Sequence, residues 1–206
     1  VPRERPLRMV IHAAGVIEDA TLEALTPAQL ERVMRTKVDA AAHLDALTSD
    51  LELCELVLFS SAAGTLGSPG QANYAAANAV LDALAHKRRA RGLRAQSLAW
   101  GPWETSGGMT DALDRGDLSR LGRAGIEPLP AAHALELFDA ATRSAPAQLI
   151  PLGVSQEALR GGANTGALHP LLRSLGERKQ AGDAGGGQLL RRLADASTEE
   201  RSDLIL

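Results

Sequence analysis

Ser61, Tyr74 and Asn78 are the residues of this chain whose types and spacing can do chemistry together. Tyr74 and Asn78 are four apart, so on a helix they share one face, and Ser61 lies thirteen residues before Tyr74 at the end of a short apolar run. A hydroxyl, a phenol and a carboxamide that converge can hold a polar oxygen and deliver a proton to it. Open α/β sheets supply the place for such a meeting, because ligands bind at the carboxyl ends of their parallel strands.

The elements that must position these groups follow from the pattern on either side. Val57, Leu58 and Phe59 form the kind of apolar run that fills a fully buried parallel strand, with Ser60 and Ser61 at its carboxyl end. Gly64, Gly67, Pro69 and Gly70 carry the chain through a loop into an Ala-rich helix over about Asn73–Arg91, closed by Gly92. Upstream, Leu7–Ile11 is a second apolar strand ending in His12-Ala13-Ala14-Gly15, where small residues let backbone approach a ligand. Thr26-Pro27-Ala28-Gln29 starts a helix with an N-cap, a proline in the first turn and a glutamine three residues after the cap. That helix is expected to run to about Thr48, with Leu30, Val33, Met34, Ala41 and Leu44 on its apolar stripe. Lys37 falls inside the stripe, which is unusual for a lysine: its stem can pack while the ammonium reaches water, or the ammonium can serve a site.

Ala95–Trp100 reads as a further strand, ending in Gly101-Pro102-Trp103. Glu104–Gly125, rich in Gly, Ser and Asp, reads as a mobile lid over a cleft. Pro130–Ser144 is amphipathic, with Ala134, Leu135, Leu137 and Phe138 on or near its buried side, and Gln148–Leu152 is a final short strand. Residues 161–187 are rich in Gly and Ala and read as linker, and residues 188–206 return to helical spacing through Leu189, Leu190, Leu193 and Leu204.

A length of 206 residues with 45% hydrophobic residues suits one or two domains with a substantial core. A net charge of −3 gives no reason to expect nucleic acid or an anionic membrane as partner. The basic run from His86 to Arg91 falls in the last turns of a helix, where positive charge complements the dipole. The single Cys54 excludes an internal disulfide and reads as a packing residue, and His12, His43, His86, His133 and His169 lack metal-ligand spacing, so no metal is expected. With no long apolar segment and no signal-peptide pattern, the expected compartment is the cytoplasm. The chain lacks an initiator Met and any G-x-G-x-x-G, so it is expected to be an excerpt without the phosphate-cradling half of a dinucleotide-binding domain.

Taken together these motifs resemble the short-chain dehydrogenases/reductases, and within them the ketoreductase domains of modular polyketide synthases. Most of that superfamily carries Tyr-x-x-x-Lys, whereas these ketoreductases carry Tyr-x-x-x-Asn and take a lysine from an earlier helix; Tyr74-Ala-Ala-Ala-Asn78 and Lys37 follow that exchange. The resemblance runs from about Leu7 to near Gly153. It implies the C-terminal half of a Rossmann-like, doubly wound parallel α/β sheet over residues 1–160, the linker at 161–187, and a helical tail at 188–206 similar to the opening helix of an acyl carrier protein domain. The implied reaction is reduction of a β-ketoacyl thioester on an acyl carrier protein with NADPH, within a multidomain synthase, with any phosphopantetheine on a carrier domain beyond the chain end. Tyr74 is then the general acid, Lys37 the cation that lowers its pKa, Ser61 the holder of the substrate oxygen, and Asn78 the anchor of Lys37 or of a relay water. Ala14, Gly15, Lys37, Tyr74, Gly101 and Pro102 are the implied cofactor contacts. Ketoreductases of the B type carry Leu-Asp-Asp after the first strand and Pro-x-x-x-Asn before the tyrosine, and A-type domains a Trp eight residues before it. Here Ile17-Glu18-Asp19, Pro69 and Asn73 follow the B pattern and Leu66 fills the Trp position, which implies a D-configured β-hydroxyl. Two alternatives are a catalytically silent scaffold domain and a free-standing dehydrogenase; the retained tyrosine, lysine, serine and asparagine weigh against the first, the glycine-rich linker against the second.

Overall fold

The computed structural model describes residues 4–51, 55–104, 121–122, 124–157, 159, 169–173 and 175. Cys54, most of the expected lid, most of the linker at 161–187 and the helix at 188–206 lie outside them. In chain order the elements are β1 (Met9–His12), α1 (Pro27–Met34), a π-helical turn (Arg35–Asp39), α2 (Ala40–Thr48), β2 (Glu55–Ser61), α3 (Ala63–Leu66), α4 (Ala72–Ala90), β3 (Ala95–Trp100), β4 (Trp103–Glu104), β5 (Ile126–Glu127), β6 (Leu129–Pro130), α5 (Ala131–Thr142), β7 (Gln148–Leu149) and β8 (Gly153–Val154).

β1, β2, β3 and β7 form one sheet in that order, every neighbouring pair parallel. Its middle strands are buried along most of their length because both faces are covered. Leu56 and Leu58 of β2 face one way, onto Ala41 of α2 and Leu81 and Ala85 of α4. Val57 and Phe59 face the other, onto Leu98, Trp100 and the α5 residues Ala134, Leu137, Phe138 and Ala141. Phe59 is tilted against Trp100 and Phe138, at 5.5 Å and 6.0 Å between ring centroids. β1 is an edge strand with Met9 and Ile11 exposed.

Several expectations need adjusting. The N-cap of α1 is as expected: Thr26 accepts from the Gln29 amide at 3.3 Å and Gln29 reaches back to the Thr26 amide at 3.0 Å. Helical backbone runs on to Thr48, but residues 35–39 form a π turn. Val33, Lys37 and Ala41 are spaced by four and all buried. A continuous α-helix would rotate such a stripe by about 40° at each step, and the wider turn takes up that drift. Leu30, expected on the stripe, is exposed, as is Leu135 of α5. Gly64 sits inside the one-turn helix α3 rather than in a loop, where a Cβ would come within 3.1 Å of the Ala79 nitrogen and 3.3 Å of the Asn78 Cβ. The last strand is shorter than Gln148–Leu152.

The chain divides into two compact units, residues 1–119 with 126–153, and residues 120–125 with 154–206. The sheet belongs to the first. In the second, the Ser155 amide donates to the Gly125 carbonyl at 2.9 Å and the Leu159 amide to the Ser155 carbonyl at 3.0 Å. Among the described residues no helix is long and apolar enough to cross a membrane.

Candidate active site

β2 delivers Ser61 at its carboxyl end, next to Trp100 of β3 in the parallel register, and α4 brings Tyr74 and Asn78 one turn apart above it. Tyr74 is buried, and the Asn78 and Ser61 side chains, as donors toward its phenolic oxygen, favour its ionised form. The π turn brings in Lys37, 2% exposed, whose Nζ donates to the Phe59 carbonyl at 3.0 Å and lies 5.3 Å from the centre of the Tyr74 ring, within cation–π range. The four side chains expected to work together are therefore neighbours. β1 contributes His12, whose Nε2 bonds the Lys37 carbonyl at 3.0 Å and so braces the π turn; burial holds this imidazole below its ordinary pKa.

Two details differ from the sequence expectation. Asn78 does not anchor Lys37: its Nδ2 donates to the Tyr74 carbonyl at 2.8 Å, while its Oδ1 is buried without a described partner. The Tyr74 pKa is raised rather than lowered, because burial outweighs the hydrogen bonds from Asn78 and Ser61 that act the other way, and the Asp19 charge adds to the rise. Burial also brings the Lys37 ammonium down to about 8, against a smaller opposing pull from the Asp82 carboxylate.

The residues expected to govern stereochemistry form a stitched seam. Gln71 Nε2 donates to Asp19 at 2.9 Å, Asn73 Nδ2 to the Glu18 carbonyl at 2.9 Å, and the Ala20 amide to the Gly70 carbonyl at 2.9 Å. Gly70 has φ of 78°, a left-handed conformation that glycine adopts freely. Glu18 is gripped by Arg32 of α1 through two bonds of 2.8 Å and 3.0 Å. Asn73 is buried, whereas Pro69 and Asp19 are exposed. Sequence reasoning does not single out Gln71, His12, Arg32 or Asp82 as site residues. Asp82 carries a visible signal, since Tyr74, Asn78 and Asp82 are spaced by four on one helix.

Of the expected cofactor contacts, Ala14 is exposed at the carboxyl end of β1 with Gly15 beside it. Gly101 has a packing reason of its own, because a Cβ there would come within 2.7 Å of Leu152 Cδ1, and its amide donates to the Pro151 carbonyl at 2.9 Å; Pro102 accepts from the Leu129 amide at 2.8 Å. The donor set suits the nicotinamide-ribose end of a dinucleotide: an ammonium has three N–H donors, and Phe59 is the acceptor described for one of them. No glycine motif for the pyrophosphate occurs in the sequence. Among the described residues there is no cluster of three metal-ligating side chains.

A parallel sheet with helices on both faces and polar side chains at its carboxyl edge defines a Rossmann-like α/β protein of the short-chain dehydrogenase/reductase kind. A family model described as the KR domain matches residues 1–105, and the chain belongs to that family, the ketoreductase domains of polyketide synthases. It is 49% identical over 214 residues to the polyketide synthase GfsB of Streptomyces halstedii, covering 100% of this chain and 4% of the relative. It is 52% identical over 208 residues to the spectinabilin polyketide synthase system protein NorB of Streptomyces orinoci, covering 100% of this chain and 10% of the relative. Among solved structures it resembles one described as A-type ketoreductases from a modular polyketide synthase, with a TM-score of 0.69 and 44% identity over 76% of this chain and 33% of that one. The chain thus spans a small part of the relatives it matches.

Proposed function

We propose that this chain supplies the catalytic side of an NADPH-dependent β-ketoacyl reductase acting on a thioester carried by an acyl carrier protein of the same cytoplasmic synthase. The observation that carries the reading is the convergence of Lys37, Ser61, Tyr74 and Asn78 at the carboxyl edge of the sheet. The bound cofactor supplies the hydride. Ser61 and Tyr74 hold the ketone oxygen, and Tyr74 donates its phenolic proton to that oxygen as negative charge develops there. Burial keeps the phenol protonated at neutral pH, so Tyr74 enters the reaction as an acid. Lys37 stabilises the phenolate left behind, with its ammonium facing the ring and held in place by the Phe59 carbonyl. Asn78 presents its unpartnered Oδ1 as the seat for a water through which Tyr74 regains a proton.

The same reading assigns a D-configured product. The seam between Glu18–Ala20 and Gly70–Asn73 fixes one wall next to Tyr74, and a fixed wall favours one direction of approach for the substrate arm. A difference of about 3 kcal/mol between the two directions suffices for better than a hundredfold selectivity. Assay of the complete ketoreductase domain with a β-ketoacyl thioester, following NADPH consumption and product chirality, tests both parts. Tyr74→Phe is expected to lose roughly 100-fold or more in turnover; near-normal turnover removes Tyr74 as the acid, and a predominantly L product removes the stereochemical assignment while leaving the reductase.

A further inference from the structure

Asp82 is a buried carboxylate, 7% exposed, in the middle of α4, and the proposed chemistry makes no use of it. Nothing about holding α4 against the sheet calls for a charge there, since Leu81 and Ala85 beside it pack by apolar contact alone. A buried carboxylate is costly unless its charge is answered.

Its surroundings show how it is answered. Ser97 of β3, fully buried, donates its hydroxyl to Asp82 Oδ1 at 2.6 Å, in the length range of charge-assisted bonds. Ser97 pairs in register with Leu58 of β2, and the next residue of β2, Phe59, carries the carbonyl on which Lys37 Nζ sits. One turn earlier on α4, the Asn78 carbonyl accepts from Ser60 of the same strand at 3.2 Å. Tyr74, Asn78 and Asp82 thus descend α4 on one face, over the stretch of β2 where Lys37 is held.

We propose that Asp82 is a positioning residue for Lys37, a carboxylate fixed by Ser97 beneath the site whose negative charge balances the buried ammonium and keeps it in place beside the Tyr74 ring. This rests on the reading that Lys37 serves Tyr74. The direction of the Asp82 influence on Lys37 agrees, since it favours the charged amine against the burial that opposes it. The other titratable groups around Lys37 do not take this part. His12 on β1 is held toward its neutral form, Tyr74 is held protonated, and Asp39, on the same turn as Lys37, is exposed. Asp19 acts on Tyr74, and Asp45 of α2 is engaged by Arg88 and Arg91.

The test is the titration of Lys37 Nζ, followed by 15N NMR in the complete ketoreductase domain, together with the pH profile of kcat/KM. In Asp82→Asn the lysine is expected to lose its proton about one pH unit or more lower than in the wild type, the alkaline limb of the profile moving with it. An unchanged Lys37 midpoint in a folded Asp82→Asn variant overturns the proposal. Ser97→Ala, which keeps the carboxylate and removes its tether, carries the test if Asp82→Asn does not fold: a smaller fall in the midpoint supports the proposal, and no fall overturns it. The underlying reading fails separately, if Lys37→Met keeps normal turnover.

Discussion

At the scale of single residues the site is governed by burial. The same desolvation that raises the Tyr74 phenol lowers the Lys37 ammonium, so two groups that ordinarily titrate close together are driven apart. The acid form of Tyr74 persists at any physiological pH, and the group that titrates within reach is Lys37, at about 8. In the proposed mechanism its charged form stabilises the phenolate, so the reduction rate is expected to hold below that value and to fall as pH rises through it. A pH profile of kcat/KM in the complete domain checks this, and a rate that stays level to pH 10 contradicts it. Lys37 and Ser61 are legible in the sequence because each breaks a local pattern, a charge on an apolar stripe and a hydroxyl at the end of a buried run. The direction of the Tyr74 shift is not legible, because it depends on how much water the folded site excludes, and no spacing encodes that.

Among the elements, α4 holds the most buried cation of the described residues. Arg88, 1% exposed, donates to the Asp45 carboxylate at 2.5 Å and carbonyl at 3.2 Å, to the Thr48 carbonyl at 3.0 Å and to the Arg94 carbonyl at 3.3 Å. It ties the end of α2 to the connection after α4 through backbone carbonyls of both. Arg88→Met keeps much of the volume and removes every one of these donors, and is expected to cost roughly 3 kcal/mol of stability or more. Urea unfolding of the complete domain measures it, and a loss under about 0.5 kcal/mol, the usual size for a surface change, contradicts this role. As a sequence, the run from His86 to Arg91 reads as complement to the helix dipole, and for Arg88 that is incomplete. Composition locates the cluster, while the one arginine that turns inward is chosen by the position of Asp45, some forty residues away. The helices and central strands are legible from caps, periodicity and apolar runs. The π turn is not, because the spacing of Val33, Lys37 and Ala41 suits a slightly drifting α-helix equally well.

For the molecule as a whole, the edge position of β1 and the absence of a glycine motif for pyrophosphate have a direct consequence: these 206 residues alone are expected to bind NADPH poorly. Fluorescence titration of the chain by itself checks this, and micromolar affinity contradicts it. The sheet order carries a further consequence. From β2 to β3 and from β3 to β7 the chain steps the same way across the sheet between parallel strands, yet α4 packs on one face and α5 on the other. Two such crossovers must have opposite hands. Parallel connections are right-handed in about 98% of cases; with the direct β2–α4–β3 connection of that hand, the one from β3 through α5 to β7 is left-handed. To reach the opposite face, the chain leaves β3 at the carboxyl edge and returns to that same edge, where Trp103–Glu104 pairs with Leu129–Pro130 just before α5 begins. The connection of unusual hand is thus the one that starts from the edge where Ser61 and Tyr74 lie, and the Trp103–Leu129 pairing closes it there before α5.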